Sequence, residues 1–265
     1  MKKLFLILLC SSSISGYAQR NITRQQVIWY GYYVTGALNE KWYWQTEFHE
    51  RHFINPNTQF QLAFRSHIHR VFGNGWEASA GMCLFLSRPN EPESGVTLAI
   101  PELRPHAELA YRQNIKFLTL EHRVRTEARY FHFTNSAKTE LERGYYFGAI
   151  RFRYQLQAII PIWKIDERRS MRTKIGGEIL LNTRNKYVHH SLDQVRIHAG
   201  WNMDILPTLN FELVYLYQLQ QKSTEGYFKR DILRVNLFQK INFKKIKSKT
   251  KQSLITPFDI PFFTL

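Results

Sequence analysis

Between Phe117 and Phe131 the chain reads FLTLEHRVRTEARYF, with Glu121, Arg123, Arg125, Glu127 and Arg129 at every second position. Arginines so placed suit the capture of carboxylate or phosphate, because the planar guanidinium donates two parallel hydrogen bonds to one oxyanion. In an extended strand, two-residue spacing puts all five side chains on one face. Leu118, Leu120, Val124, Ala128 and Tyr130 take the other face, interrupted by His122 and Thr126. A helix would scatter both sets around its axis. The same parity gives Arg104 and Arg112 on the preceding strand and Arg151 and Arg153 on the following one. The candidate anion-binding set is therefore Arg104, Arg112, Glu121, Arg123, Arg125, Glu127, Arg129, Arg151 and Arg153. Across all strands, parity sends roughly twice as many cations as carboxylates to this polar face. Two readings follow: a lumen that prefers anions, or a polar core of salt bridges that holds a narrow barrel shut.

Two other constellations carry chemistry on paper. Ser79, His67 and His49 share inward parity on neighbouring strands, and Glu47 is placed to orient a histidine, as an acyl hydrolase requires. Outer-membrane enzymes of that kind act on lipid at the outer face, and these residues point away from it. His67-x-His69, joined by His49, has the spacing of a metal site. In a chain with 10 histidines such spacing arises by chance, and histidines partnered by carboxylates are the simpler reading. No catalytic residue, metal or cofactor is assigned.

The element that must position these side chains is a long strand with one apolar and one charged face. Soluble sheets usually use strands of five or six residues, whereas this one runs for about fifteen, which suits a membrane barrel wall with lipid outside and water inside. The reverse orientation is untenable, since each Arg turned to lipid at mid-bilayer costs roughly 2–4 kcal/mol. Similar alternation marks Val27–Ala37, Lys41–Phe53, Thr58–Phe72, Trp76–Leu86 and Glu102–Ile115 before it. After it come Tyr145–Ile160, Arg172–Asn182, Gln194–Met203, Leu209–Gln220 and Ile232–Phe243. Asn55-Pro56-Asn57 and Gly73-Asn74-Gly75 mark turns, while Ser87–Pro101 and His132–Arg143 read as loops. These are eleven segments, and single-chain bacterial barrels have even strand numbers. The expectation is an all-β fold: one antiparallel transmembrane barrel of about twelve strands, the twelfth near Thr23 or within Ser253–Leu265.

The N-terminus carries Lys2 and Lys3, an apolar run Leu4–Leu9 and small residues to Gly16-Tyr17-Ala18, the pattern of a secretory signal over residues 1–18. Its removal takes Cys10 and leaves Cys83 alone, so no intramolecular disulfide forms. Residues 19–243 then form the barrel and 244–265 a basic extension. Aromatic content of 15% suits interfacial girdles of Trp and Tyr. A net charge of +16 would ordinarily suggest nucleic acid, but it is spread over alternate strand positions behind an export signal, which argues against that partner.

At KWYWQTEFHER (residues 41–51), LEHRVRTEAR (residues 120–129) and RFRY (residues 151–154) the chain resembles an uncharacterised family of exported, barrel-forming proteins of Bacteroidetes-type bacteria. Glu178 before Asn182-x-Arg184, the stretch Gln194–Gly200 and the Tyr-rich segment ending at Gln218 fit the same pattern. The resemblance implies an outer-membrane location and brings no activity or catalytic residue. The combined expectation is a monomeric outer-membrane barrel, a pore or binding scaffold for small anionic solutes, in contact with outer-membrane lipid. Alternatives are a lipid-modifying, acyl hydrolase-like enzyme and a soluble periplasmic barrel of lipocalin type with its aromatic face turned inward.

Overall fold

A computed structural model describes residues 21–183, 191–223 and 225–242. These residues form eleven strands and no helix: β1 (Ile22–Ala37), β2 (Trp42–Phe53), β3 (Thr58–Gly73), β4 (Trp76–Ser87), β5 (Ile100–Ile115), β6 (Leu118–Thr134), β7 (Leu141–Lys164), β8 (Ser170–Asn182), β9 (Leu192–Leu206), β10 (Leu209–Gln221) and β11 (Tyr227–Asn242). Each strand pairs antiparallel with the next, and the sheet closes into a barrel through β1 and β11. That seam is parallel, running from Ile22 opposite Tyr227 to Ala37 opposite Asn242.

The expected all-β closed barrel is found, with eleven strands among the described residues, close to the expected twelve, and with one parallel pairing in an otherwise antiparallel sheet. The parallel pairing follows from the count, because an odd number of up-and-down strands leaves the first and last running the same way. Residues near Thr23 add no strand; they lengthen β1. The signal segment 1–18, Ser253–Leu265 and the extension 244–265 lie outside the described residues. Strands also run further than alternation alone suggests, so β6 and β7 are separated only by residues 135–140.

Connections differ between the two ends. At one end they are turns of two to five residues: 38–41, 74–75, 116–117, 165–169 and 207–208. At the other they include the longer loop 88–99. In the 74–75 hairpin both Asn74 (φ 51°) and Gly75 (φ 84°) are left-handed, the Asn-Gly pair that matches strand twist. A Cβ on Gly75 would lie 2.1 Å from the carbonyl oxygen of Arg112, so only glycine lets the turn pass beneath the next strand.

Burial follows the alternation. On β6, Glu121, Arg123, Arg125 and Glu127 are buried while Val124 is 48% exposed. Around the whole circumference Tyr32, Phe48, Phe64, Met82, Leu109, Phe152, Ile175, Ile197, Tyr215 and Leu237 are exposed on the outer wall. A bulge between β2 and β3 breaks the parity locally. Arg51 pairs with Gln61 and His52 with Gln59, so Phe60 is the extra residue and turns inward, 7% exposed. The alternation alone had put Phe60 on the outer face with Phe64.

Candidate functional site

The interior divides into two halves along the barrel axis. In the half nearest the short turns, Tyr43, Glu47 and Phe238 are 1% exposed and His69, Glu212 and Asn236 0%. A water-filled passage would wet such side chains, so this half is closed. Its centre is Glu47, whose carboxylate accepts from His49 Nε2 (3.0 Å), His67 Nε2 (2.9 Å), Gln45 Nε2 (2.8 Å) and the Arg65 guanidinium. His67 Nδ1 and His69 Nε2 share a hydrogen bond of 3.0 Å, and His69 Nδ1 meets Glu77 at 2.6 Å. The Tyr43 hydroxyl also donates to Glu77, and its ring stacks on His69 with centroids 4.3 Å apart. On the far wall Lys174 Nζ donates to Glu212 at 2.6 Å. Of the residues weighed as hydrolase or metal ligands, His49, His67, His69 and Glu47 therefore do meet, but both His67 nitrogens are committed to Glu47 and His69, and the buried Ser79 hydroxyl has no hydrogen-bond partner.

The arginine ladder is real as geometry, and every arginine in it meets a carboxylate. Arg104 and Arg129 share Glu102 (2.7 and 3.2 Å), and Arg112 donates to Glu121 at 2.8 Å. Arg123 reaches Glu178 at 3.1 Å and Arg125 reaches Glu108 at 2.7 Å. Arg151 pairs with Asp193 at 2.7 Å, and Arg153 bridges Glu127 (2.8 Å) and Glu178 (2.7 Å). Charge-assisted bonds of this kind, closed across five neighbouring strands, satisfy the groups that burial would otherwise leave desolvated.

The half nearest the 88–99 loop holds a cavity of about 220 Å³. Arg104, Arg129, Arg151 and Arg153 from the candidate set line it, with Glu102 and Glu178; Arg112, Glu121, Arg123, Arg125 and Glu127 lie outside its lining. Three further arginines line it that are different in kind. Arg230 is 1% exposed and donates to three amides, Gln25 (2.7 Å), Gln220 (2.5 Å) and Asn90 (2.8 Å). Arg51 donates to the Gln61 amide at 2.5 Å and lies 4.0 Å over the Trp29 ring, its Nε buried without a partner. Arg88 on the 88–99 loop likewise has a buried, unpartnered Nε. Among the described residues, none of the three pairs with a carboxylate. Two more buried donors around the cavity, Trp29 Nε1 and the Tyr33 hydroxyl, have no acceptor. Asn90 partly roofs the cavity, its carbonyl accepting from Gln25 Nε2 at 2.6 Å.

Parity reasoning missed Arg230 because the last strand was started at Ile232. Extending the alternation four residues back, through Arg230 to Phe228, would have found it. Asp204 was lost the same way at the end of β9, which continues to Leu206. Asp193 sits beside an irregular register between β8 and β9, which turns it and Gln194 both inward. No local signal marks Arg88 or Asn90, since a loop has no parity to read.

The family described as Protein of unknown function (DUF2490) matches residues 26–229. No curated protein matches the chain.

Proposed function

The chain belongs to the DUF2490 family, whose function is unknown, and from the barrel's own chemistry we propose an outer-membrane binding protein whose blind cavity captures a small carboxylate or phosphate anion. The observation that carries this is Arg230 with Arg51 and Arg88: cationic groups facing a cavity, none hydrogen-bonded or ion-paired to a carboxylate among the described residues, with Glu91 and Asp193 acting on Arg230 only from a distance. A buried cation without a counter-ion is costly, and an entering anion supplies the missing charge. Ladder members Arg104, Arg129, Arg151 and Arg153 add to the positive field at the same cavity, which low-dielectric walls concentrate.

The closed turn half favours a binding scaffold over a conducting pore. The apolar outer wall supports outer-membrane lipid as the surrounding medium; a lipocalin-like soluble barrel needs that face turned inward. Outward charges on the strands, such as Arg24, Arg70 and Lys229, fall near strand ends, where a bilayer meets water. The protein acts as a monomer in this reading, exported by its N-terminal signal.

Equilibrium dialysis of the purified protein in amphipol against labelled phosphate and acetate tests the capture. Saturable binding that weakens with ionic strength is expected, reduced about tenfold or more in Arg51→Gln/Arg230→Gln; no saturable binding refutes it. For location, Val124→Arg should cost roughly 2–4 kcal/mol of folding in bilayers. Release of the intact protein by osmotic shock would overturn the membrane assignment. In planar bilayers no steady current is expected, and a conducting channel would restore the pore.

A further inference from the structure

The cavity has a second wall that an inorganic anion could not use. Trp29, Phe60 and Leu216 line it, and behind them Val27, Phe53, Val214 and Ile232 complete the larger of the two buried apolar clusters among the described residues. The cationic groups stand against this wall: the Arg51 guanidinium lies 4.0 Å over Trp29, and that of Arg230 lies 5.0 Å from the Phe60 ring. Phe60 is there because a bulge turns it inward against the strand's parity, and such departures re-aim side chains next to sites. A phosphate or acetate ion seated on Arg51 and Arg230 would lose hydration on the aromatic side and gain no donor there. An anion carrying an apolar body would instead bury that body on the same wall. A cavity of about 220 Å³ has room for a small body such as one ring or a short chain.

We infer that the ligand is an amphipathic anion, a monocarboxylate or phosphate monoester bearing one aromatic ring or short alkyl group. Its acid group sits on Arg51, Arg88 and Arg230, and its body against Trp29, Phe60 and Leu216. This assignment rests on the anion-capture reading and names its substrate class.

Calorimetric titration of the protein in amphipol with phenylacetate, acetate and benzyl alcohol separates the two claims. Phenylacetate should bind on the order of tenfold tighter than acetate, and benzyl alcohol should bind far more weakly than phenylacetate. Phe60→Leu should lower phenylacetate affinity several-fold and leave acetate unchanged, with the heat-dependent shift in electrophoretic mobility reporting that the variant is folded. Trp29→Phe, a milder change beside Arg51, should act in the same direction. If acetate binds as tightly as phenylacetate, the amphipathic assignment falls while anion capture stands. Benzyl alcohol binding as tightly as phenylacetate would overturn both, as would no binding of any of the three.

Discussion

At the turn end of the barrel, Glu47 gathers two histidines, a glutamine and Arg65. At the loop end, Arg230 donates to three amides and to no acid, Glu91 and Asp193 lying beyond hydrogen-bond reach. Both groups are almost wholly buried on inward strand positions, and both walls come from the same alternation. The difference is the sign and number of partners. Where carboxylates and cations are matched, side chains close on one another and exclude water. Where cations outnumber acids, a cavity stays open beside them. Burial by itself therefore says little about function in such a barrel; the missing counter-ion is the informative feature.

This contrast can be broken by substitution. The largest effect is expected at Glu47: Glu47→Leu strands Arg65 as an uncompensated buried charge and should destabilise by about 3–5 kcal/mol, measured by urea unfolding in amphipol. A loss under about 1 kcal/mol would mean the turn half is not held by its ion pairs. Next comes Glu178, which joins Arg153 and Arg196 at the cavity wall. Glu178→Gln removes charged hydrogen bonds and should cost roughly 2–3 kcal/mol. It should also tighten anion binding, because ladder arginines then resemble Arg230; weaker binding would separate the ladder from the site. Smaller still, Arg230→Gln alone should change stability by no more than about 1 kcal/mol, since relief of a costly buried charge offsets the loss of its three hydrogen bonds. The least effect belongs to Asn90→Ala, which takes away an acceptor competing for Arg230. Anion affinity should rise about two- to threefold, in keeping with one neutral hydrogen bond, and a fall would make Asn90 part of the binding surface.

Much of this architecture was legible residue by residue. Glu121 to Arg129 announced a wall with a charged inner face, and Trp42, Phe48 and Phe64 were correctly assigned outside. The eleven segments were found, with ends that fell short by a few residues, and those short ends hid Arg230 and Asp204. The strand count among the described residues is eleven, close to the expected twelve; the parallel β1–β11 seam is what lets an odd number close. The nine candidate residues were brought to one interior, yet only Arg104, Arg129, Arg151 and Arg153 reach the cavity.

The sequence by itself determined the strands, their inner and outer faces and the excess of inward cations, because a side chain's direction in a strand depends only on its own position and the period of two. Which cations keep a carboxylate and which do not was decided only by tertiary structure. Arg230 meets Gln25 across 205 residues and Asn90 across 140, and Phe60 enters the cavity through a slip in register between two strands. Counter-ion matching depends on distances between groups far apart in the chain, and those are fixed only when the barrel closes.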